Sequence, residues 1–403
     1  MTSPYVRESS LPALGLWEEA KGRRIPLQFD LEITARCNND CRHCYINVPA
    51  GDREALEREL SVAEIERIAG EAAELGAVWC LVSGGEPLMR DDFDDVYMAL
   101  KRRGLLISVF TNACLITPRH VELFRRYPPR DIEVTVYGAT EETYERVSRR
   151  PGSYKAFRRG LTLLEEGGVR PRLKAMALRS NVHELAEMGR LCRERSKDYY
   201  RFDPLLHLRY DRDERRNAEI RAERLNAEEV VAIEAADEER SAALRAACER
   251  MAAAGGVAET DVLIRCGAGM YSFAVGPDGM FRLCSAMWHP DTLYDLRSGT
   301  LREAWERHVP LVRDLRGSRQ EFGAWCASCP RINLCLWCPA HAYLETGSLE
   351  RHVDEFCAVA DARAQALLGP RGAARSGDAI GGASASPTHG NASPAQTTNG
   401  GKH

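Results

Sequence analysis

Three cysteines near the start of the chain, Cys37, Cys41 and Cys44, stand within eight positions of one another. A closed structural metal site takes four ligands, whereas a reactive site keeps one position open for a small molecule. A [4Fe–4S] cube held by three thiolates leaves one iron without a protein ligand, and this iron can bind and polarise a substrate. The alternative is a zinc ion with His43 as its fourth ligand. Because His43 lies between Cys41 and Cys44, it would strain a tetrahedral site, and the spacing favours the cube.

A second group of cysteines lies in the last third of the chain: Cys266, Cys284, Cys326, Cys329, Cys335, Cys338 and Cys357. Two C-x2-C pairs close together often bind zinc. A zinc ion takes only four ligands, however, so one ion would leave some thiols of this group without a metal. Of the remaining cysteines, Cys80, Cys114 and Cys192 fit apolar packing. Cys248 precedes the second group and could add a ligand to it.

The composition excludes several classes of protein. The chain has 403 residues, of which 44% are hydrophobic, so it can bury a large core and hold two domains. Its net charge of -4 gives no electrostatic basis for binding nucleic acid or an anionic membrane. The sequence shows no secretion signal and no apolar run long enough to span a membrane. We therefore expect a cytoplasmic protein whose fourteen cysteines serve metal binding or catalysis rather than disulfides.

Alternating strands and helices between residues 28 and 209 must position the first cysteine group. Apolar runs typical of strands occupy 28–34, 78–83, 105–110, 131–137, 172–178 and 201–208. The intervening helix patterns begin at capping signals, namely Ser61 with Glu64, Thr117 before Pro118, Thr140 and Asn181. Six β-α repeats predict an α/β fold, a partial (β/α)6 TIM-like barrel with a parallel sheet. The cysteine triplet follows the first strand and so lies at the C-terminal face, where parallel barrels build their sites.

The chain divides into five predicted segments. An N-terminal segment (1–27) precedes the core barrel (28–209), and a charged, Ala-rich helical connector follows (210–258). The connector is expected to form one or two solvated helices, with a substrate lid as the alternative. A small cysteine-rich α+β domain covers 259–366. The tail (367–403) has too few apolar residues to offset its ordering entropy and is expected to be disordered.

The C-x3-C-x2-C spacing of the triplet resembles the signature of radical S-adenosylmethionine (radical SAM) enzymes, and three further stretches agree with that family in order. SGGEP resembles the motif whose backbone and glutamate hold the methionine amino group. FTNACLIT resembles the family's TNG turn, with Ala113 where glycine is usual. VTVYGAT aligns with the fourth-strand segment that contacts the nucleoside. The resemblance implies these contacts to SAM: Gly84, Gly85, Glu86, Pro87, Asn112 and Thr135.

The same resemblance implies the chemistry. A [4Fe–4S] cluster on Cys37, Cys41 and Cys44 would chelate SAM at its open iron, and a flavodoxin- or ferredoxin-type reductant would deliver one electron. A 5′-deoxyadenosyl radical would form and abstract hydrogen from a substrate. Such chemistry requires no general base, and the catalytic residues beyond the cofactor contacts stay unknown.

The second cysteine group resembles the seven-cysteine SPASM extension of radical SAM enzymes, which carries two auxiliary [4Fe–4S] clusters. One cluster would be closed by four cysteines, Cys326, Cys329, Cys335 and Cys357. The other would be held by Cys266, Cys284 and Cys338. For its fourth position we expect an open iron or a non-cysteine ligand, and Cys248 is the alternative.

The family resemblance implies a substrate class. SPASM enzymes mostly modify peptides or proteins, so a ribosomally made peptide, modified by a thioether or a crosslink, is the expected substrate. A small molecule of cofactor, haem or natural-product synthesis is the alternative, and a non-catalytic electron carrier is a third hypothesis. Ser285 stands where sulfatase maturases have a catalytic aspartate, which argues against that branch. Too few residues precede the first strand to form a leader-binding domain, so such a unit is expected to be a separate protein or absent.

Overall fold

A computed structural model describes residues 16–196, 201–253, 261–327 and 337–368, together with Cys329, Arg331, Ile332, Leu334 and Cys335. Eleven strands lie in these parts of the chain, β1 to β11 in order: Gln28–Thr34, Arg36–Cys37, Val48–Pro49, Trp79–Gly84, Leu106–Thr111, Asp131–Val136, Arg172–Met176, Arg201–Asp203, Ser272–Val275, Met280–Arg282 and Tyr294–Asp295.

Fifteen α-helices, α1 to α15, lie in the same parts of the chain: Leu16–Arg23, Arg53–Arg58, Val62–Glu74, Phe93–Arg102, Pro118–Arg126, Glu141–Ser148, Ser153–Glu166, Leu185–Arg195, Glu214–Glu223, Ala227–Ala236, Glu238–Ala253, Leu301–Glu303, Val309–Arg313, Pro339–Thr346 and Asp354–Leu368. None of these helices is both long and apolar enough to cross a membrane.

The predicted α/β fold with a parallel sheet is confirmed. Strands β1, β4, β5, β6, β7 and β8 lie side by side in this order, and each pairs in parallel with the next. Helices connect successive strands, as parallel pairing requires. Along β1, Phe29, Leu31 and Ile33 enter the hydrophobic core, whereas Asp30 between them lines a cavity. The sheet therefore has one face packed against helices and one face available for a site.

The sheet continues into the cysteine-rich region. Strand β9 pairs in parallel with β1, and β10 and β11 extend the sheet by antiparallel pairing. The result is a nine-stranded sheet in the order β11-β10-β9-β1-β4-β5-β6-β7-β8. No signal in the sequence predicts this pairing. The C-terminal region is thus hydrogen-bonded to the first strand of the barrel, and the five-segment division stays a prediction.

Three of the four predicted capping signals, at Ser61, Thr117 and Thr140, begin α-helices as expected. Ser61 and Glu64 form a reciprocal capping box at the start of α3, and Thr117 with Pro118 begins α5. Asn181 precedes a short 3₁₀ turn rather than an α-helix, and α8 begins only at Leu185.

The sixth predicted strand is shorter than expected. Strand β8 ends at Asp203, whereas the sequence pattern predicts a strand as far as residue 208. The next residue, Pro204, has no N–H to donate to a neighbouring strand, so it ends the ladder.

The connector is less solvated than predicted. It forms three helices, α9 to α11, and Ile220, Val230 and Glu234 are buried. Arg363 of α15 donates to Glu234 through Nε at 3.0 Å and Nη2 at 2.7 Å. These helices therefore pack against the C-terminal region instead of standing free. Most of the predicted tail, from residue 369, lies outside the described residues, as do residues 1–15 of the N-terminal segment.

Candidate active site

The cysteine triplet follows β1: Cys37 is the last residue of β2, and Cys41 and Cys44 lie in the loop between β2 and β3. Cys37 and Cys41 are buried and Cys44 is partly buried. The backbone N–H groups of Asn39 and Asn47 point at the sulfurs of Cys37 and Cys44, each at 3.4 Å. Burial raises the pKa of all three thiols. Three thiol groups, two of them with a backbone donor at the sulfur, are a donor set that fits an iron–sulfur cluster.

Two arginines that are not among the predicted site residues hold this loop. Arg216 of α9 donates to the backbone oxygen of Cys41 at 3.1 Å, and Arg209, after β8, donates to that of Asn47 at 3.0 Å. Both side chains are buried. In the sequence they stand in a charged run that reads as a solvated helix, so no local signal distinguishes them.

The two glycines after β4 permit a close approach of backbone to backbone. Gly84 has a φ of +132°, and a Cβ on it would lie 2.1 Å from the carbonyl oxygen of Thr34. A Cβ on Gly85 would lie 2.4 Å from that of Ala35. Any side chain at these positions would push the β4 turn away from the loop that carries the cysteines. Both glycines line the cavity, and their contacts to SAM stay a prediction.

Glu86 is completely buried and is engaged within the protein. Its Oε1 accepts from the Thr111 hydroxyl at 2.8 Å and the Leu88 N–H at 3.1 Å, and its Oε2 accepts from the Asn112 N–H at 2.7 Å. Burial raises its pKa to about 7. The carboxylate thus joins the turns after β4 and β5. Its contact with an ammonium group stays a prediction, as does that of Pro87, which begins a 3₁₀ turn.

The turn after β5 brings an amide close to the cysteine loop. The side chain of Asn112 donates to Asn38 at 2.8 Å and approaches the Cys37 sulfur at 3.9 Å. Ala113, where the family has glycine, has a φ of +61°. The chain therefore makes the left-handed turn without glycine, at a cost of about 1 kcal/mol.

One cavity of about 700 Å³ joins these features. Its volume is in the range of small-molecule sites, about 300–1,000 Å³. On the barrel side it is lined by predicted site residues, namely Cys37, Cys41, Cys44, Gly84, Gly85, Asn112 and Thr135. On the other side it is lined by residues of the C-terminal region, among them Ser285, Trp288, His341 and Phe356. Two of the six predicted SAM contacts, Glu86 and Pro87, do not line the cavity.

The charged groups on the cavity wall are mostly paired. Lys174 contacts Glu133 at 2.5 Å, and Arg240 and Arg363 both donate to Glu234. Asp30 and Asp203 are different, because no hydrogen bond or ion pair joins either carboxyl to any of the described residues. Burial raises the pKa of Asp30 to about 6, and the neighbouring Glu32 adds to this rise while Arg282 opposes it.

Two groups of neighbouring sulfurs occur among the C-terminal cysteines, and their assignment to two clusters stays a prediction. The pKa of Cys326 is raised to about 12 by burial and by the neighbouring sulfurs of Cys357, Cys335 and Cys329.

Burial raises the pKa of Cys284 to about 12 as well, and here the neighbouring sulfurs are those of Cys338 and Cys266. In the described ranges, no three Cys, His, Asp or Glu side chains converge on one metal ion. A cube does not need such convergence, since separate thiolates hold its corners. The Cys248 side chain is outside the described part of α11, so its role as a ligand stays a prediction.

A comparison with protein-family models matches residues 31–188 to the Radical SAM superfamily. An AdoMet-dependent heme synthase from Methanosarcina barkeri is 29% identical over 167 residues, 40% of this chain and 46% of that protein. The mycofactocin maturase MftC from Mycolicibacterium smegmatis is 26% identical over 324 residues, 78% of each chain. The chain spans 43–57% of the length of the first three curated relatives that it matches.

The fold is similar to that of Streptococcus suis SuiB in its crystal structure with precursor peptide SuiA. The TM-score is 0.61 at 16% identity, and the match covers 89% of this chain and 83% of SuiB. It therefore extends beyond the barrel into the cysteine-rich region. Residues 31–188 thus match the Radical SAM superfamily, and over most of its length the chain is similar in fold to SuiB.

Proposed function

We propose that this protein is a radical SAM/SPASM enzyme that cleaves SAM reductively and abstracts hydrogen from a ribosomally made peptide. The observation that carries the proposal is the single cavity shared by the cysteine triplet, the glycines after β4 and the C-terminal region. When bound, the cluster and SAM supply one-electron cleavage of a carbon–sulfur bond and a 5′-deoxyadenosyl radical that takes a hydrogen atom from the substrate.

The residues of the chain have three tasks in this reaction. Cys37, Cys41 and Cys44 would hold the cluster, and the N–H groups of Asn39 and Asn47 would stabilise the charge on two of the sulfurs. Gly84 and Gly85 let backbone atoms approach the methionine part of SAM. The aromatic groups on the wall exclude water, which would otherwise quench or divert a radical.

A peptide substrate is supported by two relatives. MftC is a maturase, and the SuiB structure contains a precursor peptide. The heme synthase favours the alternative, a small-molecule substrate, but its similarity covers only 40% of this chain. We propose a flavodoxin- or ferredoxin-type protein as the reductant, and a separate protein to bind the leader of the peptide.

The C-terminal cysteines would hold two auxiliary [4Fe–4S] clusters in the sets described above. With the cluster of the triplet, the reconstituted protein should contain about 12 irons per chain. Replacement of Cys326 and Cys329 with alanine should remove about four of them and leave the others. An iron content of about four in the wild type would contradict this part of the proposal.

The activity is tested by anaerobic reconstitution with dithionite and SAM. The wild type should form 5′-deoxyadenosine, and a variant with alanine at Cys37, Cys41 and Cys44 should form none while it keeps about eight irons. Cys192→Ala is the control, because Cys192 is buried in α8 far from these loops in the chain. Undiminished 5′-deoxyadenosine from the triple variant would refute the proposal.

The peptide is tested by co-expression with short open reading frames that lie beside the gene. The product should show the mass of a modified peptide, and deuterium in the peptide should appear in 5′-deoxyadenosine. Transfer from a porphyrin or another small molecule, and from none of the peptides, would support the alternative.

A further inference from the structure

Asp30 brings a carboxyl without a partner into the cavity. It stands in β1 between Phe29 and Leu31, which enter the core, so its side chain points to the opposite face of the strand and lines the cavity. The residue is half-buried, and no hydrogen bond or ion pair joins its carboxyl to any residue in the described ranges. An ionised carboxyl that is shielded from water and unpaired destabilises the folded protein, and a partner from outside the chain would remove this cost.

The strand register places Asp30 deeper in the barrel than the predicted contacts to SAM. Its Cα pairs with that of Leu81 in β4, three residues before Gly84. At about 3.3 Å per residue, this position lies roughly 10 Å from Gly84 along the strand. The cysteine triplet and the two glycines lie at the C-terminal ends of the strands. A molecule that reaches Asp30 therefore extends into the barrel beyond them.

The charges around Asp30 leave one negative charge unbalanced. Its charged neighbours are Glu32, two residues further along the same strand, and Arg282 of β10. Arg282 donates to Glu32, and both side chains are completely buried, so this pair is neutral as a unit. When Asp30 is ionised, the three groups together carry one negative charge. A cation that enters the cavity is attracted to this place.

Asp203, the other unpaired carboxyl on the cavity wall, is in a different environment. Burial lowers the pKa of Lys174, and Glu133 and Asp203 both oppose this shift. Lys174 and Arg201 contact the same carboxylate, that of Glu133. Two cations of the chain thus share two carboxylates, and the charge of Asp203 is balanced within the protein. Asp30 has no such balance.

The wall near Asp30 is suited to a long side chain with a charged end. Leu81 of β4, Phe110 of β5 and Tyr45 line the same cavity and offer apolar surface to an aliphatic stem. Burial and the neighbouring Glu32 raise the pKa of Asp30 to about 6, and a bound cation would stabilise its ionised form. Lysine and arginine combine an aliphatic stem with a cationic head.

We propose that Asp30 is a specificity-determining residue that binds a cationic side chain, lysine or arginine, of the peptide substrate. The inference rests on the proposed function, because it takes the cavity as the place where the peptide is held. The ammonium or guanidinium group donates to the Asp30 carboxylate, and its stem lies along Leu81 and Phe110. A charge-assisted hydrogen bond at a site shielded from water favours such a residue over a neutral one of the same length.

The test measures how short capped peptides bind to the reconstituted full chain in the presence of SAM. The probes are acetyl-Gly-Lys-Gly-amide, its arginine equivalent and its norleucine equivalent, which keeps an aliphatic stem but has no charge. Anaerobic isothermal titration calorimetry gives the dissociation constants. We expect the wild type to bind the lysine or the arginine probe at least about 10-fold more tightly than the norleucine probe. The tighter of the two charged probes identifies the preferred residue.

Three variants show whether Asp30 causes this preference. Asp30→Asn removes the charge and should abolish the preference. Asp30→Glu keeps a carboxylate and should retain part of it. Asp203→Asn is the matched control, because it removes a carboxyl from the same cavity wall and should leave the preference in place.

The possible outcomes separate this inference from the proposed function. A wild type that binds the charged probes no more tightly than the norleucine probe, or binds none of the probes, would overturn the inference. An equal loss of preference in Asp203→Asn and Asp30→Asn would overturn it too, because the total charge of the cavity would then cause the effect. Weaker binding of SAM by Asp30→Asn, with an unchanged probe preference, would assign the carboxyl to SAM instead.

Formation of 5′-deoxyadenosine by the wild type is measured in parallel. If the wild type forms it but shows no preference for the charged probes, the inference fails and the function stands. If the preference depends on Asp30 but no 5′-deoxyadenosine forms, the proposed function fails and the cation site stands.

Discussion

Arg282 of β10 donates a hydrogen bond to Glu32 of β1, and both side chains are completely buried. The guanidinium carbon of Arg282 also lies 3.6 Å from the centre of the Trp288 ring. Among the described residues, Glu32 Oε1 and Arg282 Nε and Nη1 have no hydrogen-bond partner. The pair therefore joins the cysteine-rich region to the first barrel strand at a high cost in desolvation.

Removal of one partner should destabilise the protein more than removal of both. Arg282→Met leaves a buried, unpaired carboxylate, and we expect the free energy of unfolding to fall by about 3–5 kcal/mol. The double variant Glu32→Leu with Arg282→Met should recover most of this loss, because no charge then stays buried. Urea denaturation of the anaerobic protein measures both. If the double variant is as unstable as the single one, the pair contributes through packing rather than charge.

The carboxyl of Asp30 should make stability depend on pH. Its pKa is raised from 3.8 to about 6 in the folded protein, so the protonated acid favours folding. This contribution is complete below pH 3.8 and is lost as the pH rises through about 6. Asp30→Asn stays neutral, so its stability relative to the wild type should increase between pH 4 and pH 7, by at most about 3 kcal/mol.

The control for this prediction is Asp203→Asn, a carboxyl at the end of β8 on the same cavity. Thermal unfolding at a series of pH values gives both curves. A gain for Asp203→Asn as large as that for Asp30→Asn would mean that general charge repulsion, and not the burial of Asp30, causes the effect.

Glu86→Gln should lower stability and weaken SAM binding together. Glutamine has one oxygen instead of two, so the Thr111 hydroxyl and two N–H groups compete for it. A hydrogen bond to a charged group contributes about 1.5–3 kcal/mol, so the dissociation constant for SAM should rise roughly 10- to 100-fold if the turn moves. Equilibrium binding to the cluster-loaded protein measures this value.

Thr111→Val is the comparison, since it removes one of the three donors and leaves the carboxylate in place. Its effect on SAM binding should be smaller than that of Glu86→Gln. An unchanged dissociation constant for Glu86→Gln, with lowered stability, would limit Glu86 to a structural role.

Gly160→Ala should destabilise the protein although alanine favours helices. A Cβ on Gly160 of α7 would lie 2.0 Å from the carbonyl oxygen of Ala113, so the helix or the β5 turn must move. We expect the free energy of unfolding to fall by about 1–3 kcal/mol, the usual cost of overpacking. Gly70→Ala in α3 is the matched control, since its Cβ would meet only the Arg103 side chain at 3.5 Å.

For Gly70→Ala we expect the free energy of unfolding to increase by up to about 1 kcal/mol, because alanine has the higher helix propensity. Chemical denaturation of both variants checks the opposite signs. A stabilised Gly160→Ala would show that α7 does not pack against the β5 turn as closely as the structure indicates.

Features that depend on neighbours in sequence could be predicted. The capping box of Ser61 and Glu64 is an interaction within one helical turn, and the β-α alternation follows from periodicity. The pairing of β9 with β1 could not be predicted, because a four-residue apolar run carries no information about a partner more than 230 residues away.

In the candidate active site, too, the sequence predicts contacts between near neighbours in the chain but not contacts between distant segments. The cysteine spacing predicts which thiols lie together, and all three indeed lie on the short segment from the end of β2 to the start of β3. The arginine that donates to the Cys41 oxygen, Arg216, stands in a run of charges whose composition is typical of a solvated surface. Similarly, nothing near Glu86 in sequence indicates that Thr111 and Asn112 bind its carboxylate, because that contact depends on how two strand ends meet.

The pairing of β9 with β1 also has a consequence for the growing chain on the ribosome. The edge of β1 that β9 covers emerges with residues 28–34, whereas β9 consists of Ser272–Val275. At about 5–20 residues per second, this edge stays open for on the order of 10–50 s during synthesis. An open strand edge is a template for pairing with other chains. The nascent barrel should therefore depend on chaperones until its last third has been made.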